Sequence, residues 1–487
     1  MSAARFGAGC VAVAVLYAVM YAVWYPPTFA IIDESTYVST ALTYREGTVF
    51  SDVAGVQNIS EVRTPGGHAA SKFGPLWPAA LVPWLALGWK AVFAATLVVH
   101  LVGFVLFLRL VRGAGLPDAA ALLYLAHPTL VLYSRTVMSD SLAGVLVLAA
   151  WVAWRESSGD RPRAAVWAGL WLGLSVLVRF SNGVLAGLFL VGALLERGRG
   201  ARRRLGALVA GGILPALALA AYNQVVFGKW WRGSDGYRDD RAGIGMEGQF
   251  SADNLVDGLA HYGLALGAVW PLLVLAPLFY RGRDARLVRV AGYGFTLFFC
   301  FYYYRDAGAG ALQTAVAGLR FLIPVLPFFL LAYGAVISGL LARTEIARGV
   351  SVRGARAAFV AVALVLLAGS GAVHARHHRF LSGVSERQAA LHAATPPGSV
   401  VYCDTAAREL LHDAWGDRTA VRSEFRGRWD APPPSKFAGR ARFVALAGGD
   451  DSLAALRRAW GVPVVLSDPR GAGGVTVWEI LETGGAP

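Results

Sequence analysis

Charge is what this sequence has least of. Only 16% of its 487 residues are Asp, Glu, Lys or Arg, where a soluble domain carries about a quarter. An ordinary cytosolic enzyme and a disordered chain are thereby excluded. Cysteine is scarce too: Cys10, Cys300 and Cys403 cannot build a disulfide framework, and the first two lie inside apolar runs. Lysine is rare for a basic chain, with four against 41 arginines. What abounds is apolar surface, 56% of the residues. The formal net charge of +14 does not mark a nucleic-acid partner, because the arginines sit in short loops between apolar runs. The positive-inside rule produces that distribution. The chain reads as a multi-pass integral membrane protein in contact with membrane lipids.

Apolar windows of about 20 residues fall near 7–26, 89–111, 118–133, 139–155, 164–179, 182–197, 206–227, 260–280, 288–304, 319–341 and 357–374, eleven expected spans. The run after Arg5 is long enough to cross a bilayer and no clean small-x-small cleavage site follows it, so it reads as a retained helix. Arg109 and Arg112, Arg155 with Arg161 and Arg163, Arg197 to Arg204, Arg281 to Arg289 and Arg343 to Arg356 fall in alternate loops. Those loops are expected in the cytoplasm together with the N-terminus. An odd number of spans then puts the C-terminal region outside.

Two long outer loops are expected, about 27–88 and 228–259. The first holds a helix-like stretch, Ser35–Glu46, and then Pro75, Trp77, Pro78, Pro83 and Trp84, the composition of a broken interfacial segment. From residue 375 the pattern changes. Ser399–Cys403, Phe443–Ala447, Val462–Ser467 and Val475–Leu481 read as strands, with helices at Thr405–Ala414 and Ser452–Trp460. The fold class is therefore mainly α: a polytopic helical membrane bundle over 1–374, followed by a small extracytoplasmic α/β domain over 375–487.

Asp33 and Glu34 stand just beyond the first span. One reading makes one of them a general base or metal ligand at the membrane surface. The other makes them the cap and first-turn acid of the following helix. Lys72, beside the Gly74-Pro75 turn and near His68, is either a point charge for a phosphate or a snorkelling interfacial lysine. Asp140 lies in the tight turn between the third and fourth spans, either as a functional acid or as the ion-pair partner of Arg135. Arg179, with Asn182, and Arg320 lie at outer span ends, where the positive-inside rule does not call for arginine. Gly243–Gly248 matches G-x-G-x-x-G, yet no strand precedes it, so it reads as loop. His374, His377 and His378 read as the polar end of a span, and Asn58–Ser60 is a sequon that matters only in a glycosylating compartment.

In order along residues 1–340, these pieces resemble the GT-C superfamily of membrane glycosyltransferases that use polyprenyl-phosphate sugars, above all the protein O-mannosyltransferases and lipid A aminoarabinose transferases. The motifs are Asp33-Glu34 followed by Tyr37, Ser71-Lys-Phe-Gly-Pro-Leu-Trp-Pro78, His127-Pro through Tyr133-Ser-Arg to Asp140, Gly173 to Arg179, Tyr222-Asn-Gln-Val-Val-Phe-Gly228 leading to Tyr237, and Arg320-Phe-Leu-Ile-Pro-Val-Leu-Pro327. The resemblance implies a site on the outer face of a plasma (inner) membrane. Asp33 matches the catalytic acid, with Glu34 beside it and Asp140 as second acid. Lys72 matches the lysine that contacts donor phosphate, with Arg320 and Arg179 for the same anion. His68, Tyr37, Asn223 and Tyr237 are the further candidates.

The implied partners are a polyprenyl-phosphate-linked sugar donor and a lipid, glycan or protein acceptor. Asp33, Glu34 and Asp140 are the residues a divalent metal cofactor would use. One departure is plain: a Glu precedes the phosphate lysine in the aminoarabinose enzymes, and Ser71 stands there here. A rival reading is a transporter or flippase of a lipid-linked substrate. It calls for charges buried mid-span and paired broken helices in two halves, neither of which the sequence displays.

Overall fold

The structure is a computed structural model. It describes residues 8–29, 31–50, 61–157, 161–196, 200–231, 250–303, 316–348, 352–404, 407, 418–425, 428–429, 434–437 and 439–483. Tyr237, the Gly243–Gly248 run, the Asn58 sequon and nearly all of the helix expected at 405–414 lie outside them.

Helices dominate. α1 (Ala8–Val23) is followed by α2 (Ile32–Arg45), a short hairpin of β1 (Glu61–Arg63) and β2 (Ala69–Ser71), and α3 (Leu76–Leu85). Then come α4 (Val92–Gly113), α5 (Leu122–Ala126), α6 (Pro128–Tyr133), α7 (Ser139–Glu156), α8 (Arg163–Val178), α9 (Asn182–Leu194) and α10 (Ala201–Phe227). α11 (Leu255–Val269), α12 (Ala276–Phe279), α13 (Ala285–Cys300), α14 (Leu326–Arg348) and α15 (Val352–Ala394) complete the bundle. Among the described residues, three stretches, Trp89–Gly113, Ala201–Phe227 and Leu326–Arg343, are long and apolar enough to cross a bilayer unaided, and shorter apolar helices include Gly9–Val23 and Arg163–Val178.

Two of the windows read as spans are broken, each for a backbone reason. Between α5 and α6, His127 is extended (φ −69°, ψ 117°) because it precedes Pro128, which disfavours a helical residue before it. Trp270 is likewise extended before Pro271, and Leu272 takes φ +71°, so the 260–280 window divides into α11 and α12. Elsewhere small residues let helices close up. A Cβ on Gly169 would sit 1.8 Å from the Leu208 carbonyl oxygen, and one on Gly211 would sit 1.9 Å from that of Val166. The α8–α10 contact is therefore backbone against backbone, the small-residue packing that membrane helices use.

α15 runs 43 residues without interruption, about 65 Å against a hydrocarbon core of about 30 Å. It passes straight through residue 374 and carries the C-terminal sheet on its far end, packing on α5 and α6 below and on β9 (Arg470–Ala472) and β10 (Val475–Thr483) above. The sheet runs β4 (Thr419–Arg422), β3 (Val400–Cys403), β7 (Arg442–Leu446), β10, β8 (Val464–Leu466), with β9 also on β10, while β5 (Glu424–Phe425) and β6 (Arg428–Trp429) pair separately. β3 is parallel to both neighbours, and β10 is antiparallel to its own. Alternation along β3 gives it two buried faces. Val401 and Cys403 pack with Val384 and Leu391 of α15, while Val400 and Tyr402 pack with Leu453, Leu456 and Trp460 of α16 (Gly449–Trp460). The strands near 400, 443, 464 and 475 and the helix ending at Trp460 thus match the expectation, as does the mainly helical class.

Candidate functional site

The site begins at the start of α2. Glu34 reaches back so that its Oε2 accepts from the Ile31 amide at 3.0 Å, the return arm of a capping box. Its Oε1 accepts from the Val137 amide at 2.7 Å, and the side chain is buried. Trp77 of α3 takes the other side of the same residue, its Nε1 donating to the Val137 carbonyl at 3.0 Å. Two parts of the first loop thus grip both backbone groups of Val137, three residues before Asp140. The capping and functional roles weighed for the acidic pair divide between its members. Glu34 caps; Asp33, in the same first turn, is partly exposed and pairs with an arginine.

Asp33 Oδ2 meets Arg320 Nη2 at 3.0 Å. The same guanidinium turns its Nε to Asp140 Oδ2 at 3.4 Å, and Arg179 Nη1 bonds the other Asp140 oxygen. Two acids and two arginines, drawn from α2, α7, the end of α8 and the turn before α14, form one ion-paired quartet. Phe321 underlies both guanidinium groups, 5.5 Å from Arg179 and 5.4 Å from Arg320, and its ring stacks on Phe299 at 5.1 Å. Exposure separates the acids: the Asp140 side chain is 0% exposed and that of Asp33 is 21% exposed. Only the second can touch a substrate as the site stands.

Tyr37 and Lys72 join this centre through aromatic contacts. The Tyr37 hydroxyl shares a 2.8 Å hydrogen bond with Ser139 Oγ, next to Asp140. Burial, reinforced by the Asp33 carboxylate, pushes the Tyr37 phenol up, so it stays neutral. Its ring lies 4.6 Å from that of Phe73, over which Lys72 Nζ stands at 5.4 Å. The Lys72 segment reaches the centre because Gly74 has no side chain: a Cβ there would lie 2.3 Å from the Leu177 carbonyl oxygen, near the end of α8 that presents Arg179.

The remaining candidates sit to one side. His68 belongs to the hairpin turn and packs against Phe50, the ring centres 4.9 Å apart and tilted by 30°. Asn223 Nδ2 donates to the Trp230 carbonyl at 3.4 Å, holding the chain beyond α10. Phe50, Ala70, Tyr222, Val226 and Phe227 join hairpin and helix in one apolar cluster.

Arg135 is not the partner of Asp140. It is fully buried and donates to the Trp24 carbonyl, to His374 Nδ1 at 2.7 Å and to His377 Nδ1 at 3.2 Å. His378 Nδ1 meets the Tyr25 carbonyl at 2.9 Å. The histidines read as a polar span end therefore tie α15 to the end of α1 and to the turn that leads to Asp140. Helical spacing was their only signal in the sequence, and it does not reveal Arg135 as the group they hold.

Asp33 and Asp140, the pair a divalent metal would use, each hold a guanidinium, and both Glu34 oxygens hold amides. Among the described residues no three His, Cys, Asp or Glu side chains converge as a metal set. The donor set does not fit a metal in this arrangement.

No family model and no curated protein matches this sequence. Solved structures do match. ArnT from Cupriavidus metallidurans, bound to undecaprenyl phosphate, superposes with a TM-score of 0.62 at 14% identity, over 97% of this chain and 98% of that one. Its apo form gives 0.61 at 16% identity over the same shares. The Archaeoglobus fulgidus oligosaccharyltransferase tethered with an acceptor peptide gives 0.53 at 12% identity, over 90% of this chain and 69% of that one. The chain shares the fold of these GT-C proteins. The likeness reaches past the 1–340 stretch that carries the motifs, since 97% coverage takes in the sheet domain as well. Within this GT-C fold, Asp33, Asp140, Arg179 and Arg320 come together although up to 287 residues separate them.

Proposed function

We propose that this protein is a glycosyltransferase that moves a sugar from a polyprenyl-phosphate donor to an acceptor hydroxyl on the outer face of the plasma (inner) membrane, with inversion. The observation that carries the reading is the unequal exposure within the quartet: one carboxylate open to substrate, sharing its arginine with one that is sealed. The whole-chain likeness to a protein solved with undecaprenyl phosphate supports the donor class.

Polyprenyl phosphate leaves readily, so the bond from sugar carbon to phosphate oxygen breaks without a general acid, and cations hold the charge that develops. Arg320 and Lys72 take that role. When the donor phosphate binds Arg320 it competes with Asp33, and the freed carboxylate becomes the base. Asp33 accepts the proton of the acceptor hydroxyl as its oxygen attacks the sugar carbon from the opposite face; a single displacement inverts that carbon. Asp140, held by Arg179, keeps Arg320 anchored on its other side. The acceptor is a lipid, glycan or protein hydroxyl.

Asp33→Asn tests this. It keeps the shape and removes the proton acceptor, and a positioned base is worth about 10²–10⁴-fold. Release of polyprenyl phosphate with sugar arriving on acceptor should fall at least about a hundredfold, with membrane insertion unchanged and the thermal midpoint lowered only modestly by the lost ion pair with Arg320. Full activity in a well-folded Asp33→Asn protein would remove Asp33 as base.

A further inference from the structure

Away from the quartet, a cavity of about 250 Å³ lies where the segment after α1, the head of the span beginning at Trp89 and the upper part of α15 meet. Thr28, Trp89, Lys90, Ser385, Gln388 and His392 line it. Its walls are braced across the whole chain. Thr28 Oγ1 bonds Gln388 Oε1, Gln388 Nε2 donates to the Phe29 carbonyl at 3.4 Å, and the Tyr25 hydroxyl donates to the Lys90 carbonyl at 2.7 Å. Trp89 packs on Phe29 with ring centres 5.4 Å apart.

Lys90 is one of four lysines in the chain. Its Nζ stands 5.4 Å over the Trp89 ring, and among the described residues no carboxylate lies within ion-pair distance of it. Lys90, Ser385 and His392 line one small space, and an ammonium, a hydroxyl and an imidazole are the chemistry that recognises an anion with several acceptor oxygens. The depth narrows the class. Trp89 opens a membrane-crossing stretch, Trp89–Gly113, and tryptophan there marks the headgroup layer, where lipid phosphates lie. The volume is below that of a drug-sized pocket and suits a headgroup.

We propose that this cavity is a phosphate-binding site, filled by the headgroup of an anionic phospholipid. The site stands apart from the donor phosphate and does not depend on the transferase reading. A lipid seated there would be gripped by both the membrane helix and the arm of α15 that bears the sheet, tying that domain to the bilayer surface.

The test is native mass spectrometry of the purified full chain, titrated with phosphatidylglycerol and separately with inorganic phosphate. Lys90→Gln should weaken the tightest phosphatidylglycerol adduct about fivefold, the loss expected for one lysine at an anionic surface. Lys90→Arg should retain most of it, His392→Gln should also weaken it, and Lys229→Gln, an exposed lysine outside the cavity, should leave it unchanged. Inorganic phosphate that competes in a Lys90-dependent way would support the same chemistry with free phosphate as its source. Phosphatidylglycerol binding unaffected by Lys90→Gln and His392→Gln in folded protein would overturn the proposal.

Discussion

Asp33 and Glu34 are adjacent in sequence and chemically alike, yet their surroundings give them different work. Glu34 is buried with both oxygens on backbone amides, while Asp33 is partly open and holds an arginine. Sequence reading places the pair at the start of a helix, but it cannot divide cap from base, because the Val137 amide that claims Glu34 lies 103 residues away. The division is testable. Glu34→Gln leaves one oxygen for one amide and turns an NH₂ toward the other, so a buried donor loses its acceptor at a cost of about 1–3 kcal/mol. The expected outcome is a lowered thermal midpoint with a partial loss of turnover, the reverse of the Asp33→Asn pattern. A Glu34→Gln protein of wild-type stability and no turnover would make Glu34 a chemical participant. Arg135 teaches the same lesson from the other side. Its closeness in sequence to Asp140 proposed a pair that the fold does not make, because Trp24 and two histidines of α15 each take one of its three guanidinium nitrogens.

Among the elements, long apolar helices and strands of alternating burial were legible because period and length reveal them directly. Breaks were less so: the window at 118–133 reads as one span until the His127-Pro128 bond is weighed against the run of apolar residues. The approach of the Lys72 segment to α8 was not legible at all, since a glycine before a proline announces a turn and says nothing of what lies against it. Gly74→Ala tests that approach. The added Cβ would meet the Leu177 carbonyl oxygen at 2.3 Å and that of Val178 at 2.7 Å. The backbone must retreat from α8, carrying Lys72 with it, and overpacking of this kind costs about 1–3 kcal/mol. A raised KM for donor is expected with a modest drop in midpoint. Gly187→Ala, where nothing lies within 4 Å, should change neither. Wild-type donor affinity in Gly74→Ala would detach Lys72 from the site.

At the scale of the whole molecule, contacts decide which groups share an end. The quartet is built from the first turns of α2 and α7, the end of α8 and the turn before α14. The upper part of α15 is fastened to that same end through Trp24, Tyr25, Thr28 and Arg135. The sheet domain therefore stands on the side of Asp33. The opposite end gathers a different set of pairs: Arg112 with Asp118 at 2.6 Å, Arg155 with Asp284 at 3.5 Å, and Arg204 with Glu196 at 3.1 Å. Arginine-rich loops belong on the cytoplasmic side, so the quartet and the sheet are expected outside. A reporter joined beyond residue 483 should be active only outside the cytoplasm, and one inserted within 197–199 only inside. Because physical contacts join the sheet to the quartet, the two markers test the site as well as the termini. A cytoplasmic signal from the C-terminal reporter would carry Asp33, Lys72 and Arg320 inside with it, and a lipid-linked donor presented on the outer face could then never reach the carboxylate that is to act on it.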